Sequence, residues 1–172
     1  MEIYIVEDDI SVINVLEDII ESNGLGTVCG NSGGRPADPA EVARLNPDVV
    51  LVDFLMPEKD GIQFVRELKA AGSTARCIMI SQVSAKDLIG KAYSAGIDFF
   101  ISKPINIIEV KSVIENVERQ IQNERTLSNI RKMFMAEMNE MPKEKQKNNA
   151  YVKKLQLILN RIGMSGEKGC DD

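Results

Sequence analysis

Histidine and tryptophan are absent from this 172-residue chain, and cysteine occurs only three times. The lack of histidine excludes Ser-His-Asp and Cys-His nucleophile pairs, His-ligated zinc and any phosphohistidine carried by this chain. Cys29, Cys77 and Cys170 are too far apart for a C-x-x-C metal or redox motif, and an odd number does not make a closed disulfide framework. Cys29 and Cys77 fall in strand-like runs, which predicts buried, inert thiols. No stretch approaches the roughly 18 consecutive apolar residues of a membrane span. The start, MEIYIVEDD, also lacks the basic and apolar regions of a signal peptide. These absences predict a soluble, cytoplasmic chain without membrane association, whose chemistry runs on carboxylates, hydroxyls and lysines.

What is present is enough apolar material, 44% of residues, to bury one core and leave an appendage. Charge is unevenly spread. Through Pro104 there are 16 acidic and 9 basic residues, whereas Ile105 to Asp172 holds 10 acidic and 12 basic. The acidic front does not favour nucleic acid, and the weakly basic rear permits it without indicating it.

The front segment alternates short apolar runs with amphipathic stretches. Ile3 to Val6 reads as a buried strand. Ile10, Ile13, Leu16, Ile19 and Ile20 then recur at helical spacing until Asn23-Gly24. A strand around Gly26 to Gly30, a Gly- and Pro-rich loop to Pro39 and a short helix to Leu45 follow. Val49-Val50-Leu51-Val52 is the continuous run that a central parallel strand needs, because helices cover both of its faces. Ile62, Phe64, Val65 and Leu68 mark a third helix, Cys77 to Ile80 a fourth strand, Leu88 to Ala95 a fourth helix and Asp98 to Ile101 a fifth strand. The rhythm predicts an α/β fold, a doubly wound five-stranded parallel sheet of flavodoxin-like type, followed by a long helical extension.

From Ile105 there is no glycine or proline until Pro142. Ile107, Val110, Ile114, Val117 and Ile121 alternate steps of three and four, a coiled-coil-like seam that slips and resumes at Leu127, Ile130 and Phe134. A fully helical arm would reach on the order of 50 Å and calls for a partner helix, so a homodimer through the extension is expected. PKEKQKNN, residues 142–149, reads as a polar linker. Val152, Leu155, Ile158, Leu159 and Ile162 place a second amphipathic helix after it, with Gly163 as its stop. The expected organisation is therefore a globular domain over 1–120, an arm over 121–141, a linker over 142–149, and a helix over 150–172 that opens an output domain continuing past Asp172.

In a parallel sheet all strand ends with the same sense lie on one edge, so distant residues converge there. Glu7, Asp8 and Asp9 follow the first strand, Asp53 the third, Ser81 the fourth and Lys103 the fifth. Clustered carboxylates repel one another but suit a hard cation such as Mg²⁺, which takes one or two of them and keeps water and phosphate oxygens. With that cation, Asp53 can act as a nucleophile toward phosphorus. The Lys103 ammonium would offset charge on the phosphoryl oxygens, and the Ser81 hydroxyl would donate to them. A cis bond at Lys103-Pro104 is one way to aim the lysine. Two other phosphate motifs fail: Gly30 to Gly34 lacks G-K-[ST], and Asp53-Phe54-Leu55 lacks the second Asp of the haloacid-dehalogenase phosphatases.

The segments IYIVEDD, VVLVDFLMPEKDG, IMISQVS and AGIDFFISKP resemble the four signature segments of bacterial two-component response-regulator receiver domains, over about Met1 to Glu118. The acidic cluster, the D-x-x-M-P-x-x-D-G loop, the hydroxyl and the K-P pair stand in family order and spacing. The resemblance implies metal ligation by Glu7, Asp8, Asp53 and the backbone carbonyl of Leu55, with Asp53 as phospho-acceptor. It further implies Ser81 as switch hydroxyl, Phe100 as aromatic switch and Lys103 as the lysine of the site. Asp9 is read either as an assistant to the site or as a helix cap. Glu7 stands where Asp is commoner, and Phe100 lacks a tyrosine hydroxyl.

The implied function is that of a signalling protein, not an enzyme beyond its own phosphorylation and dephosphorylation, which receives a phosphoryl group from a sensor histidine kinase. The family association implies transcriptional control through a DNA-binding output domain, and the tail resembles the arm of glutamine-utilisation regulators. An RNA-binding antiterminator and a stand-alone phosphorelay or protein-interaction receiver remain as alternatives.

Overall fold

In the computed structural model, the structure describes residues 1–57, 59–82, 86–140 and 150–161. The apolar runs become five parallel strands: β1 (Glu2–Val6), β2 (Thr27–Asn31), β3 (Val49–Asp53), β4 (Arg76–Ser81) and β5 (Phe99–Ser102). The helices are α1 (Ile10–Ser22), α2 (Pro39–Leu45), α3 (Gly61–Ala70), α4 (Lys86–Ala95), α5 (Ile107–Glu140) and α6 (Ala150–Arg161). Sheet order is β2-β1-β3-β4-β5. The chain steps outward from β1 to β2 and then returns to the other side of β1, so the topological switch point lies between β1 and β3. Ligand crevices open at the carboxyl ends of the strands flanking such a point.

Strand alternation sorts the apolar residues onto two faces. Ile3, Ile5, Leu51, Ile78, Ile80 and Ile101 pack with Ile13, Leu16 and Ile20 of α1 and Val110, Ile114 and Val117 of α5. Val6, Val50, Val52, Cys77 and Met79 face the opposite layer with Phe64, Val65 and Leu68 of α3 and Ala92 of α4. Every residue of β3 is buried, as its uninterrupted apolar run requires. Helix starts are fixed by side-chain caps. Asp9 accepts from the Ser11 N–H at 2.8 Å, Asp38 from Ala40 at 2.9 Å, Asp60 from Gln63 at 2.8 Å and Asn106 from Ile108 at 2.8 Å.

The chain divides into two compact units, Met1–Ile121 and Gln122–Asp172. In the first, which holds the early part of the seam within the span expected for the globular domain, Val110, Ile114 and Val117 are core residues of the sheet, and only Ile107 of the early seam is exposed. Steps of three and four serve any helix with a single apolar face, so the spacing alone does not specify a second chain. Ile10, counted with the buried face of α1, is also exposed, at the first position of the helix. In the second unit, Leu127, Ile130, Met133 and Met135 of α5 are exposed and Phe134 is half-buried. On α6, Val152 is buried while Leu157 and Ile158 are exposed. The predicted linker at 142–149, together with Ile162 and Gly163, lies outside the described residues.

Of the cysteines expected to be buried, Cys77 is, but Cys29 is exposed. The reason is local. β2 is an edge strand whose register against β1 shifts from Ile3↔Val28 to Tyr4↔Gly30, leaving Cys29 at a bulge. Cys170 lies outside the described residues. Among the described residues, no helix is long and apolar enough to cross a membrane.

Candidate functional site

The strand ends at the switch point deliver the acidic residues to one place. β1 closes at Val6, opposite Val52 in β3, so Glu7 and Asp53 leave their strands side by side. Asp53 in turn pairs with Ile80, and Ser81 at the end of β4 pairs with Ser102, which precedes Lys103. The Lys103 N–H donates to the Ser81 carbonyl at 3.0 Å, and the Lys103-Pro104 bond is cis.

Glu7, at 1% exposure, and Asp53, at 3%, are the buried acids of the chain's described part. The Lys103 ammonium lies between them, 2.9 Å from Glu7 Oε2 and 2.9 Å from Asp53 Oδ1. Glu7 Oε1 accepts the backbone N–H groups of Asp8 at 3.1 Å and Asp9 at 3.2 Å. Carboxylate oxygens of Glu7, Asp8 and Asp53 lie within 4.8 Å of one another. A cavity of about 260 Å³ opens over the group, lined by Glu7, Asp8, Asp9, Asp53, Leu55, Ser81, Gln82 and Lys103.

Electrostatics follow from burial and stoichiometry. Desolvation is the largest influence on Asp53 and raises its pKa, and the bonded Lys103 only partly opposes the rise. Glu7 is raised for the same reason and is further pushed up by the neighbouring Asp53 charge. For Lys103 burial favours the neutral amine, but the two carboxylates outweigh it and hold the pKa above the usual lysine value. Three carboxylates are gathered around one ammonium, so acidic groups are in excess at the site. An all-oxygen donor set with that excess fits a small, hard divalent cation and fits a soft one poorly.

The sequence-predicted residues are thus gathered around one cavity, with two distinctions. Asp9 lines it, but its side chain caps α1. Phe100 is not a wall of it: the half-buried ring packs against the α3–α4 layer and meets Tyr93 edge-on at 5.3 Å and 72°. Residues not singled out from sequence also contribute. Gln82 reaches the cavity from just past β4. The Ser32 hydroxyl bonds both the N–H and the carbonyl of Glu7. Gly61 has no tolerance for a side chain, because a Cβ there would stand 2.3 Å from the Asp53 carbonyl oxygen. The D-G pair of the loop signals Gly61, whereas nothing local in the sequence signals Ser32.

A parallel five-stranded sheet with this strand order and an acidic cluster at its switch point is the architecture of receiver domains, and the profile of the response regulator receiver domain matches residues 3–115. The chain belongs to that family. It is 34% identical over 177 residues to the transcriptional regulatory protein GlnL of Bacillus subtilis, across the whole of this chain and 56% of that protein. It is 33% identical over 112 residues to the chemotaxis protein CheY of the same organism, covering 65% of this chain and 92% of that one. The chain thus spans only about half the length of GlnL. Among solved structures, the receiver domain of AraT from Geobacillus stearothermophilus superimposes with a TM-score of 0.62 at 20% identity, covering 72% of this chain and 97% of that one. A chain of the CheX–CheY–BeF₃–Mg²⁺ complex of Borrelia burgdorferi gives 0.60 at 26% identity, over 68% and 88%.

Proposed function

We propose that the protein accepts a phosphoryl group on Asp53 from a phosphohistidine of a sensor kinase and passes the signal to transcription through an output domain C-terminal to the receiver. The observation that carries the reading is the Lys103 ammonium held between Glu7 and Asp53 beside the Asp8 carboxylate. Glu7, Asp8, Asp53 and the Leu55 carbonyl would hold Mg²⁺, which supplies positive charge to the phosphoryl oxygens as the transfer proceeds. The BeF₃–Mg²⁺ complex of the related CheY supports that choice of metal.

The steps belong to the protein's own residues. Burial favours the protonated form of Asp53, and the Lys103 ammonium bonded to it opposes that and favours the carboxylate. An Asp53 carboxylate oxygen attacks phosphorus, the P–N bond to the donor imidazole breaks, and the imidazole leaves with the electron pair and is then protonated from solvent. Lys103 releases its hold on Asp53 and stabilises the incoming phosphoryl oxygens, with the Ser81 hydroxyl donating to the same group. Movement of Ser81 inward frees space for the Phe100 ring, and the surface of α4, β5 and the start of α5 is the relay. The expected division is a receiver over 1–120, an arm over 121–141, a linker over 142–149 and the entry to the output domain over 150–172.

Relatedness to a transcriptional regulatory protein over the whole chain supports a transcriptional output over the stand-alone alternative, and DNA binding rather than RNA binding is the form of that output we propose. The exposed Leu127, Ile130 and Met133 support a homodimer through the α5 extension. The central test is labelling with a phosphodonor such as acetyl phosphate in the presence of Mg²⁺. Asp53→Asn is expected to reduce incorporation to background with the circular dichroism spectrum unchanged, and undiminished labelling would place the acceptor elsewhere.

A further inference from the structure

Ser32 lies one residue past the end of β2 and 25 positions along the chain from Glu7. Its backbone N–H donates to the Ile5 carbonyl at 2.9 Å, which continues the β1–β2 ladder by one rung. The main chain then departs through Gly33 and Gly34, both at positive φ, and the following rung is made by a side chain. Ser32 Oγ accepts the Glu7 N–H at 3.0 Å and donates its proton to the Glu7 carbonyl at 2.6 Å. A hydroxyl can do both from one atom; alanine and valine can do neither. Glu7 is buried, so its backbone groups cannot turn to water if that partner is removed, and strand end and loop must shift to satisfy them.

We infer that Ser32 is a positioning residue for the acidic cluster: its hydroxyl fixes the peptides on both sides of Glu7 and thereby the placement of Glu7 and Asp8 at the metal face. The connection to Asp8 is direct. The Glu7 carboxylate gathers the N–H groups of Asp8 and Asp9, so a shift of the Glu7 backbone carries the β1–α1 loop with it. Asp9 is also the cap of α1, which anchors the far side of the same loop. The inference rests on the reading of Glu7 and Asp8 as metal ligands, and it adds a hydroxyl that would touch neither metal nor phosphoryl group.

The test compares Ser32→Thr, which keeps the hydroxyl, with Ser32→Val, which has nearly the same shape without it, in the full 172-residue chain. Ser32→Ala serves if the valine variant does not fold. Two quantities are read: Mg²⁺ affinity by calorimetric titration, and hydrogen exchange of the Asp8 and Asp9 amides in metal-free protein. Loss of an outer partner of a metal ligand typically weakens binding by about 10- to 100-fold. Valine or alanine is expected to fall in that range and to accelerate exchange at both amides, while threonine stays close to the parent protein. Unchanged Mg²⁺ affinity and unchanged exchange in folded Ser32→Val or Ser32→Ala would overturn the inference, as would threonine losing as much as valine. Absence of Mg²⁺ binding by the parent chain would instead sink the metal-site reading, and the amide exchange measured without metal still decides the role of Ser32.

Discussion

In the unit formed by Met1–Ile121, α5 sets Val110, Ile114 and Val117 against the sheet, completely out of solvent. In the unit formed by Gln122–Asp172, the same helix carries Leu127, Ile130 and Met133 at comparable intervals in the open. The residue types and their spacing hardly differ between these stretches. What differs is the presence of a sheet to receive them, so apolar periodicity states only that a face wants cover and leaves open what supplies it.

The contrast can be broken most forcefully at Ile114. Replacing it by alanine removes a buried branched side chain, and a loss of about 2 to 5 kcal/mol is expected in urea unfolding. The matching change Ile130→Ala should stay within about 0.5 kcal/mol in the dilute protein. Equal effects at the two positions would erase the distinction between the units.

Ligand linkage sharpens the same contrast, since the proposed metal site lies wholly in the first unit. Mg²⁺ at about 100 times its dissociation constant should raise stability by about 2.7 kcal/mol, and Asp8→Asn should abolish the increment. Urea titrations with and without Mg²⁺ measure it. A stabilisation that persists in the asparagine variant would mean the ion acts elsewhere.

A smaller effect is expected at high pH. Burial pushes the Cys77 thiol up to about 11, whereas an unfolded cysteine releases its proton near about 8.5. Between those values the folded state binds a proton that the unfolded state does not, so stability falls as pH rises, by about 1.4 kcal/mol per pH unit from this group. Below that window the group contributes no slope. Cys77→Ala should flatten the decline in urea midpoint between about pH 9 and 10.5, while Cys29→Ala, at the exposed edge, should flatten it far less. The smallest expected change is Asp38→Ala, which removes the α2 cap and should cost about 1 kcal/mol without altering phosphoryl chemistry, read from the same unfolding curves and a labelling assay.

Much of the architecture could be read from the chain because its local signals agree. The Val49 to Val52 run, the helical spacing of Ile13, Leu16, Ile19 and Ile20 and the stop at Asn23-Gly24 each point to the same alternation of strand and helix. The gathering of Glu7, Asp8, Asp53, Ser81 and Lys103 was legible for a topological reason, since parallel strands bring their ends to one edge wherever they lie in sequence. Three features were not. The early α5 seam has the same spacing whether it meets a sheet or a second helix. The exposure of Cys29 depends on β2 being an edge strand with a bulge, and pairing order is not written in one strand's composition. Ser32 acts on a residue far back in the chain, so only the folded register reveals it.

The approach of Gly61 to the Asp53 carbonyl has a consequence for how this protein can diverge. The first turn of α3 seats directly on the peptide that presents residue 53, with no room for even a methyl group between them. That helix therefore acts as a fixed backstop, and its starting point is locked to the end of β3. Sequence drift on α3 is free along its solvent side but is forbidden at its first residue, where one added carbon would stand 2.3 Å from the Asp53 carbonyl oxygen and force the helix or the strand end to shift.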